Sequence, residues 1–168
     1  DVDLGSYPYV TSSNTTAGNV MSGLGINPFQ ISKNYGILKA YLTRVGKGPF
    51  PTELRGEIGD FLREKGNEFG ATTNRKRRCG WLDLELARYA KKVNGFTSIV
   101  ITKLDVLDEM DEIKVCTGYE EGKFPQVALN EVTPKYETFP GWEKSVKGIQ
   151  SFDEMPNEAQ DYLKFIQK

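Results

Sequence analysis

The sequence contains no histidine among its 168 residues. Acid–base chemistry that depends on an imidazole is therefore excluded from this chain. It also lacks a Gly-x-x-x-x-Gly-Lys-Ser/Thr loop, the sequence in which backbone amides cradle nucleotide phosphates. Two common routes to nucleotide chemistry are thus missing from these residues.

Cysteines and long apolar runs are equally scarce. Cys79 and Cys116 are too few for a disulfide framework, so we expect buried, reduced thiols. No apolar run reaches the roughly 18 residues that cross a bilayer, and the first five residues lack the pattern of a signal peptide. These features predict a cytoplasmic protein with no membrane partner.

The chain carries little net charge, −1 at pH 7, which gives it no strong attraction to nucleic acid. Its 38% hydrophobic and 27% charged residues suit one packed domain. The first residue is Asp1 rather than methionine, and a structured-looking segment follows almost at once. We therefore expect residues 1–168 to be a single contiguous piece of a larger protein.

Hydrophobic periodicity predicts an α/β fold. Strands are predicted at residues 37–45, 98–102 and 112–119, and helices at 16–22, 53–65, 82–93 and 156–167. The order strand, helix, strand favours some parallel pairing, with the strand 98–102 buried. Ligands in such folds gather beyond the carboxyl ends of strands. Residues 126–140 show no clear pattern.

A basic loop at residues 66–78 ends in four consecutive cations, Arg75-Lys76-Arg77-Arg78. Small residues before them allow close backbone approach, and arginine binds carboxylate or phosphate through two parallel hydrogen bonds. The loop therefore suits a compact anion. Composition alone leaves open a second interpretation, a basic loop that is simply solvated.

Two further segments have ambiguous motifs. Lys103-Leu104-Asp105 follows a predicted strand, where a carboxylate can accept two hydrogen bonds from guanine, but an ordinary turn is the alternative. Residues 7–18 are rich in hydroxyls that suit phosphate or ribose, or else cap a helix. Asp83 and Glu85, and the acids at 108, 111 and 112, are interpreted as structural rather than catalytic.

Five ordered blocks together resemble adenylosuccinate synthetase. They are YPYVTSSNTTAG at 7–18, GILKAYLTRVGKGPFPTEL at 36–54, GNEFGATTNRKRRCGWLD at 66–83, TKLDVLD at 102–108, and YETFPGW at 136–142. The resemblance implies part of a P-loop-NTPase-like α/β fold, a mixed, largely parallel sheet with flanking helices. It implies an enzyme that joins IMP to L-aspartate with GTP and Mg²⁺, commonly as a homodimer.

The resemblance also implies site residues. IMP-binding residues are Thr11, Val45 and Arg75; aspartate-binding residues are Ala71, Thr72, Thr73, Asn74, Arg75, Lys76 and Arg77; GTP-binding residues are Arg77, Lys103, Leu104 and Asp105. Among these, Asp105 is expected to set specificity for guanine.

The sequence departs from the family pattern in two respects. Asn74 stands where glycine is usual, and Lys76 is a milder change; asparagine tolerates a left-handed backbone better than most residues. The phosphate loop with its aspartate, the histidine, and the Ser/Thr-Gly-Pro segment of the family are missing. We therefore expect no catalytic residue and no metal ligand in this chain, and no activity from it alone.

An alternative hypothesis is a stand-alone nucleotide-binding or scaffolding domain that has lost catalysis. A nucleic-acid-binding module is disfavoured by the near-neutral charge and by the lack of aromatic residues interleaved with the basic run.

Overall fold

The computed structural model describes residues 1–122, 129 and 131–167, and shows an alternation of helices and strands. The helices are α1 (Gly18–Leu24), α2 (Glu57–Lys65), α3 (Leu84–Asn94) and α4 (Asn157–Gln167). The strands are β1 (Tyr35–Lys39), β2 (Leu42–Arg44), β3 (Arg78–Gly80), β4 (Leu82–Asp83), β5 (Ser98–Thr102), β6 (Glu112–Tyr119) and β7 (Pro134–Pro140). No helix in the described part of the chain is long and apolar enough to span a membrane.

The strands form parallel and antiparallel pairs, which confirms the α/β class with mixed sheets and flanking helices. β1 pairs in parallel with β5, and α2 and α3 lie between them in the sequence. β2 pairs antiparallel with β3. β6 lies between β4, to which it is parallel, and β7, to which it is antiparallel.

The prediction of one strand over residues 37–45 is wrong. The chain breaks between β1 and β2, which belong to different sheets. Ala40 and Tyr41 lie at the break and are 2% and 0% exposed. Tyr162 of α4 donates from its hydroxyl to the Ala40 carbonyl at 2.7 Å. Packing of this pair into the core therefore interrupts an otherwise β-prone run.

Two predicted helices begin too early. α2 starts at Glu57 rather than at 53, because Glu53 bridges Gly80 and the Leu54 amide donates to the Cys79 carbonyl. α3 starts at Leu84, because residues 82–83 form β4. In both cases the backbone groups of these residues pair with neighbouring strands and are not available for hydrogen bonds within the helix.

The strand predicted at 98–102 is confirmed as β5, but its burial is not. Ile99 and Val100 are 40% and 44% exposed. Within the described residues, β1 is the one strand paired with β5, so much of this small sheet is uncovered. The predicted strand at 112–119 and the helices near 16–22 and 156–167 are confirmed as β6, α1 and α4. Of residues 126–140, part forms β7, whereas 126–128 and 130 lie outside the described residues.

The core is apolar and aromatic. Its largest fully buried side chains include Trp142, Tyr41, Tyr162, Leu62 and Leu82. Both cysteines are buried and free, as expected. Burial raises the pKa of Cys79 to about 11 and that of Cys116 to about 12, so both thiols stay protonated near neutrality.

Candidate functional site

The carboxyl ends of β1 and β5 lie side by side, because Lys39 and Thr102 are partners in the parallel register. Lys103 comes directly after β5 in a left-handed conformation with φ of 58°. Asp105 follows in a single 3₁₀ turn, Leu104–Leu107. The predicted GTP-binding residues 103–105 thus lie at the edge where α/β folds bind ligands.

A short turn after α2, residues 66–68, contacts this strand end. The ammonium group of Lys103 donates to the carbonyl of Gly66. Asn67 is left-handed, with φ of 50°, and directs the chain back toward β1. The turn therefore links the end of β5 to the start of the basic loop.

Glu68 is the centre of the polar contacts at this edge. Its side chain is 0% exposed and accepts from Lys39 Nζ at 2.7 Å, Tyr41 Oη at 2.6 Å and Arg77 Nη1 at 2.6 Å. These donors come from the end of β1, from the break after it and from the basic loop. The end of β1, the break after it and the basic loop therefore meet at one buried carboxylate.

The electrostatics of this cluster favour an ionised glutamate. Burial by itself would raise the pKa of Glu68, but hydrogen bonds from Lys39, Tyr41 and Arg77 outweigh it and hold the pKa below its usual range. The pKa of Tyr41 is raised, by burial first and then by the hydrogen bond to Glu68; the charge of Asp105 also contributes. The tyrosine thus stays protonated as a donor.

The segment from Phe69 to Lys76 is a small exposed hairpin. Phe69 bridges Lys76, the Gly70 amide donates to the Arg75 carbonyl, and the Asn74 amide donates to the Gly70 carbonyl. The predicted aspartate-binding residues of the hairpin are all exposed: Ala71, Thr72, Thr73, Asn74, Arg75 and Lys76. Asn74 adopts φ of 50°, a left-handed conformation that asparagine and glycine tolerate better than most residues.

The four consecutive cations, treated as one patch in the sequence, have separate environments. Arg75 and Lys76 are exposed on the hairpin, and Arg77 is paired with Glu68. Arg78 binds Glu53 through two hydrogen bonds of 2.7 Å and donates to the carbonyls of Gly46 and Gly48. Arg78 therefore stabilises the glycine turn after β2.

The hydrogen bonds from Arg78 are also the largest influence on the pKa of Glu53, which lies below its usual range. This pair is a structural counterpart of the pair between Glu68 and Arg77. It differs in that neither member is predicted to contact a ligand.

The predicted IMP residues Thr11 and Val45 lie on segments joined by Arg44. The Arg44 guanidinium donates to the Ser6 hydroxyl and to the Tyr9 carbonyl, each at 3.1 Å, and so ties residues 6–9 to β2. Val45, next along the chain, is 65% exposed. Thr11 is exposed, and its hydroxyl donates to the Ser13 carbonyl at 3.3 Å.

The hydroxyl-rich loop satisfies part of its own backbone. Asn14 accepts from the amide and from the hydroxyl of Thr16, and the Ala17 amide before α1 bonds to Asn94. Asn14 therefore satisfies one backbone donor of the loop, but Ala17 makes no side-chain cap for α1, and its amide is satisfied by Asn94 from outside the loop. Thr11 is exposed, but its hydroxyl also accepts from the Asp1 ammonium at 3.0 Å, so a ligand would have to compete with this bond.

Two of the acidic residues interpreted as structural, Asp83 and Asp108, have structural partners. Asp83 accepts from the amides of Glu85 and Leu86 and caps α3. Asp108, 3% exposed, accepts from Trp142 Nε1 at 2.7 Å and from the Ser145 hydroxyl at 2.6 Å. Over the described ranges, no three acidic, cysteine or histidine side chains form a group that could hold a metal ion. These residues therefore do not fit Mg²⁺ on their own.

Sequence reasoning missed Glu68, Tyr41 and Lys39. A carboxylate inside a glycine-rich loop beside four cations was a usable signal for an ion pair. Its complete burial depends on packing against β1, which no local pattern reveals.

Comparisons with known proteins show the family of this chain. The family described as adenylosuccinate synthetase matches residues 1–168. The chain is 58% identical to the adenylosuccinate synthetase of Salinibacter ruber over 99% of its length, and 53% identical to that of Schizosaccharomyces pombe over 100%. It covers 40% of each of these relatives, and so spans well under half of their length.

A solved structure of fully ligated adenylosuccinate synthetase from Plasmodium falciparum superposes with a TM-score of 0.95 at 45% identity. The superposition covers 99% of this chain and 42% of that one. The fold, the sequence matches and the family match all point to the same group of proteins. The chain belongs to the adenylosuccinate synthetase family.

Proposed function

We propose that this chain is one contiguous piece of a full-length synthetase, the piece that recognises the guanine nucleotide, IMP and L-aspartate. The full enzyme joins IMP and L-aspartate to form adenylosuccinate with GTP hydrolysis, a step of AMP synthesis. The observation that carries the proposal is that Arg77 and Lys103 both bind the turn at residues 66–68, with Asp105 two residues beyond Lys103 at the same strand end.

At the nucleotide, Asp105 accepts hydrogen bonds from the ring N–H and the exocyclic amine of guanine, a donor pattern that adenine lacks. The stem of Lys103 lies along the base, while Leu104 provides backbone and apolar contact. Arg77 presents a guanidinium to the anionic part of GTP. Recognition here depends on positioning and charge rather than on proton transfer.

For the other substrates, the exposed hairpin at residues 71–77 closes over L-aspartate. The hydroxyls of Thr72 and Thr73 and the guanidinium of Arg75 bind its carboxylates, with the hairpin backbone from Ala71 to Lys76 shaping the site. Thr11 and Val45 line the IMP site, and Arg75 reaches both substrates.

The remaining chemistry belongs to residues outside this chain. In the full enzyme, Mg²⁺ would supply charge neutralisation at the GTP phosphates, and its ligands would have to come from residues other than those that the structure describes. We expect no metal ligand and no catalytic group in this chain, and therefore no activity from it alone. The full enzyme is a cytoplasmic homodimer and takes no nucleic acid.

The guanine assignment is tested with Asp105→Asn in the full-length synthetase. An amide offers a donor where guanine also has a donor, so kcat/KM for GTP should fall about 10- to 100-fold, equivalent to a lost charged hydrogen bond of about 1.5–3 kcal/mol. Discrimination between GTP and ITP, which lacks the exocyclic amine, should narrow. Asp111→Asn, at an exposed acid six residues further along the chain, is the control and should leave both values unchanged. An unaltered GTP preference in Asp105→Asn would remove this residue from the site.

A further inference from the structure

The contacts between Glu68 and Arg77 fix both the backbone and the side chain of the arginine. Arg77 is fixed at three points: Nη1 donates to Glu68 Oε2 at 2.6 Å, its amide donates to the Glu68 carbonyl at 2.9 Å, and its carbonyl accepts from Arg63 Nε at 2.9 Å. Backbone and side chain of this arginine are therefore both held by the same neighbour.

The Arg77 guanidinium nevertheless keeps most of its donors. The Arg77 side chain is 30% exposed, and Glu68 takes one of the five N–H groups that a guanidinium carries. No other described residue accepts from this side chain. One N–H group of the guanidinium is thus bound to a buried carboxylate, while the side chain stays partly exposed. The remaining N–H groups can donate two parallel hydrogen bonds to an anion.

The anchor itself is rigid. The two other donors to Glu68, Lys39 and Tyr41, bind its second oxygen, Oε1, and so fix the plane of the carboxylate. A Cβ at Gly66 would collide with the Tyr41 hydroxyl, so only glycine there lets Tyr41 reach the carboxylate. The position of Oε2, and with it that of the Arg77 guanidinium, is therefore set by the buried Tyr41 and the partly exposed Lys39.

The same turn also holds a second cation. Gly66, two residues before Glu68, accepts from the ammonium of Lys103. The two cations assigned to GTP are thus held by one three-residue turn. A shift of the turn would move both.

We propose that Glu68 is a positioning residue for GTP: it holds the Arg77 guanidinium in its ligand-binding orientation and keeps it in register with Lys103. This inference rests on the proposed role of Arg77 at the nucleotide. Glu68 is fully buried and acts through Arg77, not by touching the nucleotide.

Glu68→Gln in the full-length synthetase is the primary test. The amide keeps the shape of the side chain and an oxygen for Lys39 and Tyr41, but its uncharged NH₂ group replaces the acceptor of Arg77. We expect the KM for GTP to rise about 10- to 30-fold, as for loss of a charge-assisted hydrogen bond, while the KM for IMP changes less than about threefold.

Glu53→Gln is the matched control. It makes the same chemical change in the pair between Glu53 and Arg78, which faces no proposed ligand. Both variants should lower the melting temperature, but the KM for GTP should rise in Glu68→Gln alone. An equal rise in both would mean that general destabilisation causes the effect and would overturn the inference.

A double variant separates positioning from an independent effect. In Arg77→Ala, Glu68→Gln should add less than about twofold to the KM for GTP, because the group it positions is gone. Additive effects would overturn the inference. If Glu68→Gln does not fold, Glu68→Asp carries the test, since it keeps the charge but withdraws it by one methylene.

The two proposals fail differently. If Arg77→Ala raises the KM for GTP and Glu68→Gln does not, Glu68 is not a positioning residue and the nucleotide role of Arg77 stands. If Arg77→Ala itself leaves the KM for GTP unchanged, the nucleotide role of Arg77 is wrong, and the inference that depends on it falls with it.

Discussion

The backbone angle φ of Asn74 determines which substitutions this position tolerates. Its φ of 50° lies in the left-handed region, and its amide closes the hairpin by donating to the Gly70 carbonyl. Glycine adopts this conformation freely, asparagine adopts it with little strain, and β-branched residues do so only at a cost. The substitution of asparagine for the usual glycine is therefore compatible with the hairpin.

We predict that Asn74→Gly leaves stability within about 0.5 kcal/mol of the parent, whereas Asn74→Val destabilises the protein by about 1–2 kcal/mol. Urea unfolding of the full-length protein measures both. Thr72→Val, an equally exposed β-branched change in the same hairpin, is the control. A Thr72→Val loss as large as that of Asn74→Val would show that the left-handed backbone is not the cause.

Individual site residues differ in how far the sequence reveals them. Arg77, Lys103 and Asp105 lie in sequence blocks that resemble one family, so the order of these blocks is enough to predict them as site residues. Glu68 stands in one of the same blocks, yet its role comes from burial and from Lys39 and Tyr41, which are 29 and 27 residues away. Distant partners of this kind leave no local pattern.

At the scale of elements, Asp83 connects a strand, a helix and the neighbouring strand. It belongs to β4, caps α3 through two backbone amides, and accepts from the Tyr119 hydroxyl at the end of β6. Burial raises the pKa of Asp83 although these hydrogen bonds oppose it. Three hydrogen bonds to its oxygen atoms thus join these elements, whereas burial disfavours its charged form.

We predict that Asp83→Ala destabilises the protein by about 2–4 kcal/mol, from a lost cap and a buried hydroxyl without its acceptor. Asp83→Asn should cost less than half as much, because the amide oxygen still caps the helix and no charge is buried. Denaturant unfolding at neutral pH compares them. If Asp83→Asn lowers the free energy of unfolding as much as Asp83→Ala does, the expectation is wrong, and the negative charge of Asp83 is what stabilises the fold.

Asp83 also explains why helix boundaries were harder to predict than helices. Leu82 and Leu84 continue the apolar pattern across the cap, so periodicity places the start of α3 at 82. The pairing of Leu82 with Val115 in β6 decides the boundary instead. The elements α1, α4, β5 and β6 could be predicted because their own side chains determine them; the break at Ala40 and Tyr41 could not, since it depends on α4.

At the scale of the whole molecule, the sheet of β1 and β5 leaves an apolar face uncovered. Tyr35, Ile37 and Val100 are 52%, 69% and 44% exposed. Ile37 and Val100 are partners in the parallel register and lie side by side on this face. Adjacent exposed apolar side chains on a strand pair favour contact with another protein surface.

We predict that the 168-residue chain, prepared alone, associates with itself through this face. Sedimentation velocity should show the weight-average mass rising with protein concentration, and the double variant Ile37→Lys/Val100→Lys should suppress the rise, because two adjacent cations repel their copies across the contact. Leu24→Lys on α1 is the control, since Leu24 is 72% exposed but lies on another element. Association that persists in the double variant, or that Leu24→Lys removes equally well, would place the contact elsewhere on the molecule.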